Sequence, residues 1–594
     1  MSNFFSLSFD NVASPSLRLK SPAEGTPFND WGVVWYAGDD GPASLVRGSG
    51  DGTEDIKRAL SDWSRFRSAS FFALSGERQT GKNTPPFLRS YGGHQFVFIF
   101  NASLKGDFKN ALSLGGDPSF EPLGSSAAEH AFCWLLHQLF LRQARRLSDV
   151  PWMELRNWFH QINDLGELNC VISDGKNQVA YRDKEGRGGL YGLRRVPPHP
   201  EGHLESETLS LDLGDALDTN RTLYLFSSQP LSGEFWNPLN PGSLQAVRRG
   251  RLLFDSALDP VAPLNTWALV GNQAQQTSLM APPPQVFPAK KGFEKCVMNV
   301  LHETVYHYRM PVERSRHLIR LRPLQDRFQE LLEFNLSLSI DGRKQEFLDV
   351  FGNTTLELEV DRSFTEMVIR ANSRVRLMEG PTRWLNGSGK REALPSVWMP
   401  GQRQMMLPFL LPPELPDVQL KELTDYAMGF AQRNDMDLLD TILDINQTIH
   451  DDYAYVTGST TSETTPYEVY STRRGVCQDF SNLFICLARL LNLPARYRVG
   501  YIYTGGNYEN KIWSEASHAW VELYLPQSGW CGFDPTNGSV VGLDHVRVAC
   551  GRNFLDATPT SGTIFKGGGS ENLSVSVKIE MEPPAQLSFD NPPA

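Results

Sequence analysis

Three residues in the last third of the chain, Cys477, His518 and Asp534, are of the types that together can open an amide bond. A cysteine thiolate attacks carbonyl carbon. An imidazole can take the thiol proton and later return one to a leaving amine, while a carboxylate fixes the ring's tautomer and stabilises the imidazolium. Cys477 sits in "STRRGVCQDFSNLFICLARL", residues 471 to 490, directly before an apolar run. A lone cysteine beside an apolar helix is usually packing, and Cys486, inside that run, takes the packing reading. Cys477 alone stands at even odds, and what tips the balance is the elements that follow it.

Phe480, Leu483, Phe484, Leu487 and Leu491 recur at helical spacing, and Pro494 is the expected stop. Cys477 then falls in the first turn, where free backbone N–H groups and the helix dipole favour a thiolate. Gly475, two residues earlier, permits a tight backbone approach. "ARYRVGYIYTG" (495 to 505) alternates as a strand, "SHAWVELYLP" (517 to 526) is a second that opens with His518, and "GWCGFDPTNG" (529 to 538) is a third, ending at Asp534 before Pro535. Antiparallel pairing predicts His518 and Asp534 side by side at one sheet end, facing the start of the Cys477 helix. Trp513, Trp520 and Trp530 are expected to shield the pair from water.

These motifs carry a resemblance. "RRGVCQDFSNLFICLARLLNLPARYRVGYIY", "SHAWVELYLPQSGWCGFDPTNG" and "DHVRVACGRNFLDATPTSGTIFKGG" are similar to the bacterial transglutaminase-like superfamily, whose core is papain-like. "HETVYHYRMPVERSRHLIRLRP" and "FLDVFGNTTLELEV" resemble the amino-terminal β domain that accompanies this core. The resemblance covers roughly residues 297 to 570. It implies Cys477 as nucleophile, His518 as base and Asp534 as orienting acid, with Gln478 and Asp479 as structural support. It also implies thioester chemistry on a peptide or protein amide, ending in hydrolysis with water or in transfer with an amine. Water is always present and a dedicated amine site is an extra requirement, so a thiol hydrolase is the first expectation. An amine-accepting transglutaminase or amide ligase, and a non-catalytic scaffold, are the alternatives.

The first 255 residues resemble a class II glutamine amidotransferase domain through "PFNDWGVVWYAGDDGPASLVR", "NTPPFLRSYGGHQFVFIFNASLKG", "EPLGSSAAEHAFCWLLHQL" and "LYLFSSQPLSGEFWNPLNPGSLQAVRRGRLL". That family has an N-terminal nucleophile fold and a cysteine as mature first residue. Here the position is Ser2. Leu74 and Gly76 stand where the family has histidine and arginine, Asn101-Ala102 replaces its Asn-Gly pair, and Ala127 replaces an aspartate. Losing the arginine and aspartate leaves the charged groups of glutamine without partners. A degenerate, inactive domain is therefore expected, although removal of Met1 would give Ser2 a free amine and so a nucleophile–base pair of its own.

Bulk properties set the frame. At 594 residues the chain exceeds one hydrophobic core. The expectation is an α+β multidomain protein: an N-terminal nucleophile-type αββα sandwich (1–255), a Pro-rich linker (256–292), a β-sandwich-like domain (293–378), a second linker (379–401), a papain-like α+β transglutaminase core (402–570) and a C-terminal strand and tail (571–594). A composition of 40% hydrophobic and 21% charged residues is that of a globular protein, and a net charge of −11 argues against nucleic acid as the main partner. No apolar run approaches the roughly 18 residues needed to cross a bilayer, so no membrane partner is expected. The amino terminus does not read as a secretion signal. Seven scattered cysteines with no C-x-x-C spacing suit reduced thiols in the cytoplasm. No acidic loop has calcium-ligand spacing, and neither metal nor cofactor is expected. His302 and His307 read as strand packing or surface residues and His450 as a solvated helix end. His94 and His545 have no ligand-spaced partners, and "RRVPPHP" and "RRGR" read as solvated basic surface.

Overall fold

The computed structural model of the protein describes residues 3–19, 30–38, 41–48, 67–76, 85–199, 203–205, 209–212, 220–231, 235–258, 295–378, 392–461, 463–503, 505, 517–526 and 528–582. Ser2, Trp513 and nearly all of the 256–292 linker lie outside these residues. The chain forms two compact units, Met1–Ala281 with Met428–Asp435, and Pro282–Ala427 with Met436–Ala594. No helix among the described residues is long and apolar enough to cross a membrane.

The first unit stacks two sheets. The seven-stranded one runs in the order Asn237–Pro238, Tyr191–Arg195, Leu223–Ser227, Asn3–Ala13, Ser68–Gly76, Asp30–Tyr36, Ala43–Gly48; the six-stranded one runs Arg251–Asp255, Leu244–Arg248, Gln178–Tyr181, Gly166–Ser173, His94–Leu104, Phe87–Tyr91. Facing side chains such as Phe4, Phe72, Leu74, Val97, Ile99 and Val171 fill the space between them. Helices Ala127–Leu141 and Trp152–Asn163 cover the other face of the six-stranded sheet, where Phe132 stacks on Phe98 at 5.2 Å. The far face of the seven-stranded sheet gathers Phe5, Leu7, Trp31 and Leu225 around Trp236 and Leu204. The strand "NFFSLSFDNVA" is buried on both faces: Phe5, Leu7 and Phe9 line one, and Phe4 shares the other with buried Ser6, Ser8 and Asp10.

In the second unit, one strand of 25 residues, Lys295–Ile319, organises the β domain. Its first half pairs with Phe364–Met378 on one edge and with Glu571–Met581 on the other; its second half pairs with Thr354–Val360 and Thr560–Gly567. The register slips between His307 and Val312, so the two halves fold over a shared core of Tyr306, Val312, Leu358, Val360 and Ile369. The C-terminal strand, expected as a separate appendage, is thus a member of the β-domain sheet.

The papain-like core places helix Cys477–Leu490 against a five-stranded sheet ordered Ser539–Val540, Gly529–Asp534, His518–Leu525, Ala495–Ile502, His545–Gly551. The apolar stripe of that helix is buried as its spacing requires. Its end comes before Pro494. Leu490 is the last helical residue, Asn492 turns left-handed (φ 62°), and the Leu493 N–H closes onto the Ala488 carbonyl at 2.9 Å. The β domain takes up the free edge of the His545–Gly551 strand with side-chain amides. Gln329 accepts from the Arg547 N–H and donates to its carbonyl, both at 2.8 Å, and Asn353 does the same for Cys550 at 2.8 and 2.7 Å.

Candidate active site

Cys477 is the first residue of its helix, and the turn is prepared by two neighbours. Asp479 accepts from the Val476 N–H at 2.8 Å and from the Thr460 hydroxyl at 2.6 Å, capping the start of the helix. Burial raises the Asp479 carboxyl pKa, and these two donors only partly offset it. Gly475 matters for space: a Cβ there would lie 2.8 Å from Cβ of Asp479. Cys477 is half-buried, whereas His518 and Asp534 behind it are buried.

His518 opens its strand opposite Gly500, and Asp534 closes the neighbouring strand. His518 Nε2 lies 2.8 Å from Asp534 Oδ2, with 2% and 0% of their side chains exposed. The Cys477 thiol is the ring's other hydrogen-bonding neighbour. Burial disfavours the imidazolium, but the Asp534 carboxylate and then Cys477 outweigh it, raising His518 to about 10. Asp534 accepts from the Thr536 and Asn537 backbone N–H groups at 3.0 and 3.3 Å and from the Asn537 side chain at 2.6 Å. Burial raises its pKa, and the two imidazoles facing it, His518 and His545, hold it well below the carboxylate range. His450 is exposed in the last turn of the helix Leu438–Asp452, as expected, and its Nδ1 also meets the Thr536 carbonyl at 2.8 Å.

The structure therefore brings Cys477, His518 and Asp534 together. Of the expected aromatic shield, Trp513 lies outside the described residues, and of the other two Trp520 alone is beside His518. Trp520 is fully buried with its ring centroid 6.1 Å from that of His518, but Trp530 pairs with Tyr524, six residues along the strand from His518, and packs on Phe409 and Arg496. The Tyr455 hydroxyl meets both the main chain and the thiol of Cys477, and burial, then the charge of Cys477, push its pKa up. Tyr455 is held there by parallel pairing with Gly475. Nothing in its sequence spacing marked it, since the contact depends on a bridge between two-residue strands.

His545 was also without a sequence signal, and it is at the centre of the site. Its Nε2 lies 3.3 Å from Asp534 Oδ2 and its Nδ1 2.6 Å from Asp544 Oδ1. His518, Asp534 and His545 present three ligand-type atoms within 4.8 Å of one another. They satisfy each other as hydrogen-bond partners, so a cation between them would have to displace both imidazole–carboxylate bonds. In the first unit, Leu74 is buried between the sheets, Asn101 and Ala102 lie on the strand His94–Leu104, and Ala127 opens a helix.

Family models match in three places: the class-II glutamine amidotransferases over residues 1–263, the bacterial transglutaminase-like N-terminal region over 298–376, and the transglutaminase-like superfamily over 425–535. An uncharacterized protein of Mycobacterium tuberculosis, Rv2569c, is 29% identical over 297 residues, 48% of this chain and 92% of its own length. A candidate glutamine amidotransferase of Escherichia coli, YafJ, is 26% identical over 219 residues, 36% of this chain and 82% of its own. A candidate cysteine protease from Cytophaga hutchinsonii overlays at a TM-score of 0.39 and 23% identity, covering 50% of this chain and 93% of that one.

Proposed function

Since the chain joins a class II glutamine amidotransferase-type region to a bacterial transglutaminase-like N-terminal region and a transglutaminase-like core, we propose that it is a thiol hydrolase that cleaves peptide or isopeptide amide bonds at Cys477. The observation that carries this reading is the half-buried sulfur at a helix start, touching an imidazole whose far nitrogen is 2.8 Å from a buried carboxylate.

With its pKa raised to about 10, His518 carries a proton at neutral pH and is the counter-ion that a Cys477 thiolate requires. The sulfur attacks the amide carbonyl, and the His518 proton passes to the nitrogen that leaves as an amine. The neutral ring then takes a proton from water, whose hydroxyl breaks the thioester and releases the carboxylic acid. The sulfur departs as thiolate and His518 is again protonated. Asp534 holds the ring's tautomer throughout. In the amidotransferase-type region, the side chains at Leu74, Gly76, Ala102 and Ala127 supply no group for glutamine, which supports reading it as inactive. Seven unpaired cysteines support a reducing, cytoplasmic setting.

Peptide and isopeptide libraries, each incubated with the protein and with its Cys477→Ala variant, test the proposal by product mass. Cysteine-dependent products carrying the mass of water support hydrolysis. Incorporation of an added primary amine in their place would make the protein an acyltransferase, and no cysteine-dependent product would remove the proposal.

A further inference from the structure

The far side of the acid is occupied by a second imidazole. His545 is fully buried, with Nδ1 2.6 Å from Asp544 and Nε2 3.3 Å from Asp534. Both ring nitrogens face carboxylate oxygens, which only accept, so both must carry protons and the ring is an imidazolium. We propose that His545, braced by Asp544, is a positioning residue of the site: it donates Nε2–H into the Asp534 carboxylate and fixes the orientation in which that carboxylate aims His518 at Cys477. The proposal rests on the reading of Cys477 as nucleophile.

Packing histidines in the same chain look different. His302 and His317 are also buried, but each meets only a hydroxyl, Thr304 at 2.7 Å and Ser315 at 2.9 Å, and burial lowers both to about 4. His545 lies between two carboxylates. Burial opposes its charge, yet Asp544 and then Asp534 raise it to about 9. The titratable groups facing it are Asp544 just before its own strand, Asp534 from the strand Gly529–Asp534, and His518 at 6.3 Å between ring centroids; Trp520 packs edge-on at 5.1 Å and Ile502 is its partner on the strand Ala495–Ile502. His518 and His545 thus flank the same end of that intervening strand, on opposite sides. Charges alternate from Asp544 through His545 and Asp534 to His518. Thr536 and Asn537 hold the carboxylate from within its own turn, and His545 adds a donor that ties Oδ2 to a separate strand.

The test uses the full chain and the rate at which iodoacetamide alkylates Cys477 as a function of pH. His545→Leu removes the donor and is expected to slow alkylation at neutral pH on the order of 10- to 100-fold. It is also expected to move the acid limb of the profile upward, because Asp534 loses a cationic partner. His545→Gln, a neutral donor, should recover most of the rate. A merely structural role would lower the melting temperature of His545→Leu and leave the acid limb in place, and that result overturns the proposal. Should His545→Leu not fold, 15N-histidine NMR of the unaltered protein decides: two protonated ring nitrogens on His545 at neutral pH are expected, and an unprotonated Nε2 overturns it. His518→Ala separates the two readings. If alkylation does not depend on His518, the nucleophile reading fails; if it depends on His518 but not on His545, only this inference fails.

Discussion

Within the candidate site, polar contacts converge on Asp534. It receives two imidazoles, two backbone N–H groups and an amide while fully buried. Asp534→Asn should therefore cost stability as well as thiol reactivity. Removing one partner of a buried ion pair typically costs about 3–5 kcal/mol, a loss to be read from urea unfolding followed by tryptophan fluorescence. The pH dependence has a definite sign. His518 and His545 have folded pKa values of about 10 and about 9, above the roughly 6.5 of an unfolded histidine. Their contribution is complete below about pH 6.5 and is lost as pH rises through 9 to 10. Asp534, depressed, contributes above its unfolded pKa near 4, and that share is lost only as pH falls through its much lower folded value. The unfolding midpoint of the wild-type chain should fall between pH 8 and pH 10, and fall less in His545→Gln.

At the scale of elements, the site depends on how closely three strands and one helix approach. Gly500, on the strand Ala495–Ile502 between those of His518 and His545, is the tightest point: a Cβ there would lie 2.0 Å from the Val546 carbonyl oxygen and 2.7 Å from the Trp520 ring. Gly500→Ala should push the His545 strand outward and destabilise by about 1–3 kcal/mol, visible as a lower denaturation midpoint and a slower Cys477 alkylation. The Cys477 helix and the strands bearing His518 and Asp534 were legible because period and composition agree: an apolar stripe at three and four residues, then short alternating runs. His545 was not, since its partner Asp534 lies eleven positions earlier on a strand three places away in the sheet. Sequence spacing carries no sign of such a contact. The strand Arg343–Leu348, "RKQEFL", was also invisible, because all six residues are exposed and no face alternates.

At the scale of the whole chain, the β domain is part of what holds the site's geometry. Gln329 and Asn353 reach from it to the otherwise free edge of the His545 strand. Gln329→Leu removes the acceptor of the Arg547 N–H, while the Arg547 carbonyl keeps the Leu324 N–H, and hydrogen exchange across residues 545–551 should accelerate while exchange in the Cys477 helix changes little. Removing residues 571–594 would strip the long strand of its partner from Met298 to Tyr308. An exposed edge of that length invites pairing between chains, so the shortened protein should elute at a larger apparent size than the full chain on size exclusion. The central claim is that one thiol of seven is activated, and competitive alkylation by limiting iodoacetamide at neutral pH, read by peptide mass spectrometry, addresses it most directly. Burial pushes Cys486 and Cys531 up to about 12, and Cys133 and Cys296 to about 11. Cys477 should label first, and its rate should collapse in His518→Ala. A Cys477 that labels no faster than Cys486, or is indifferent to that substitution, contradicts the account.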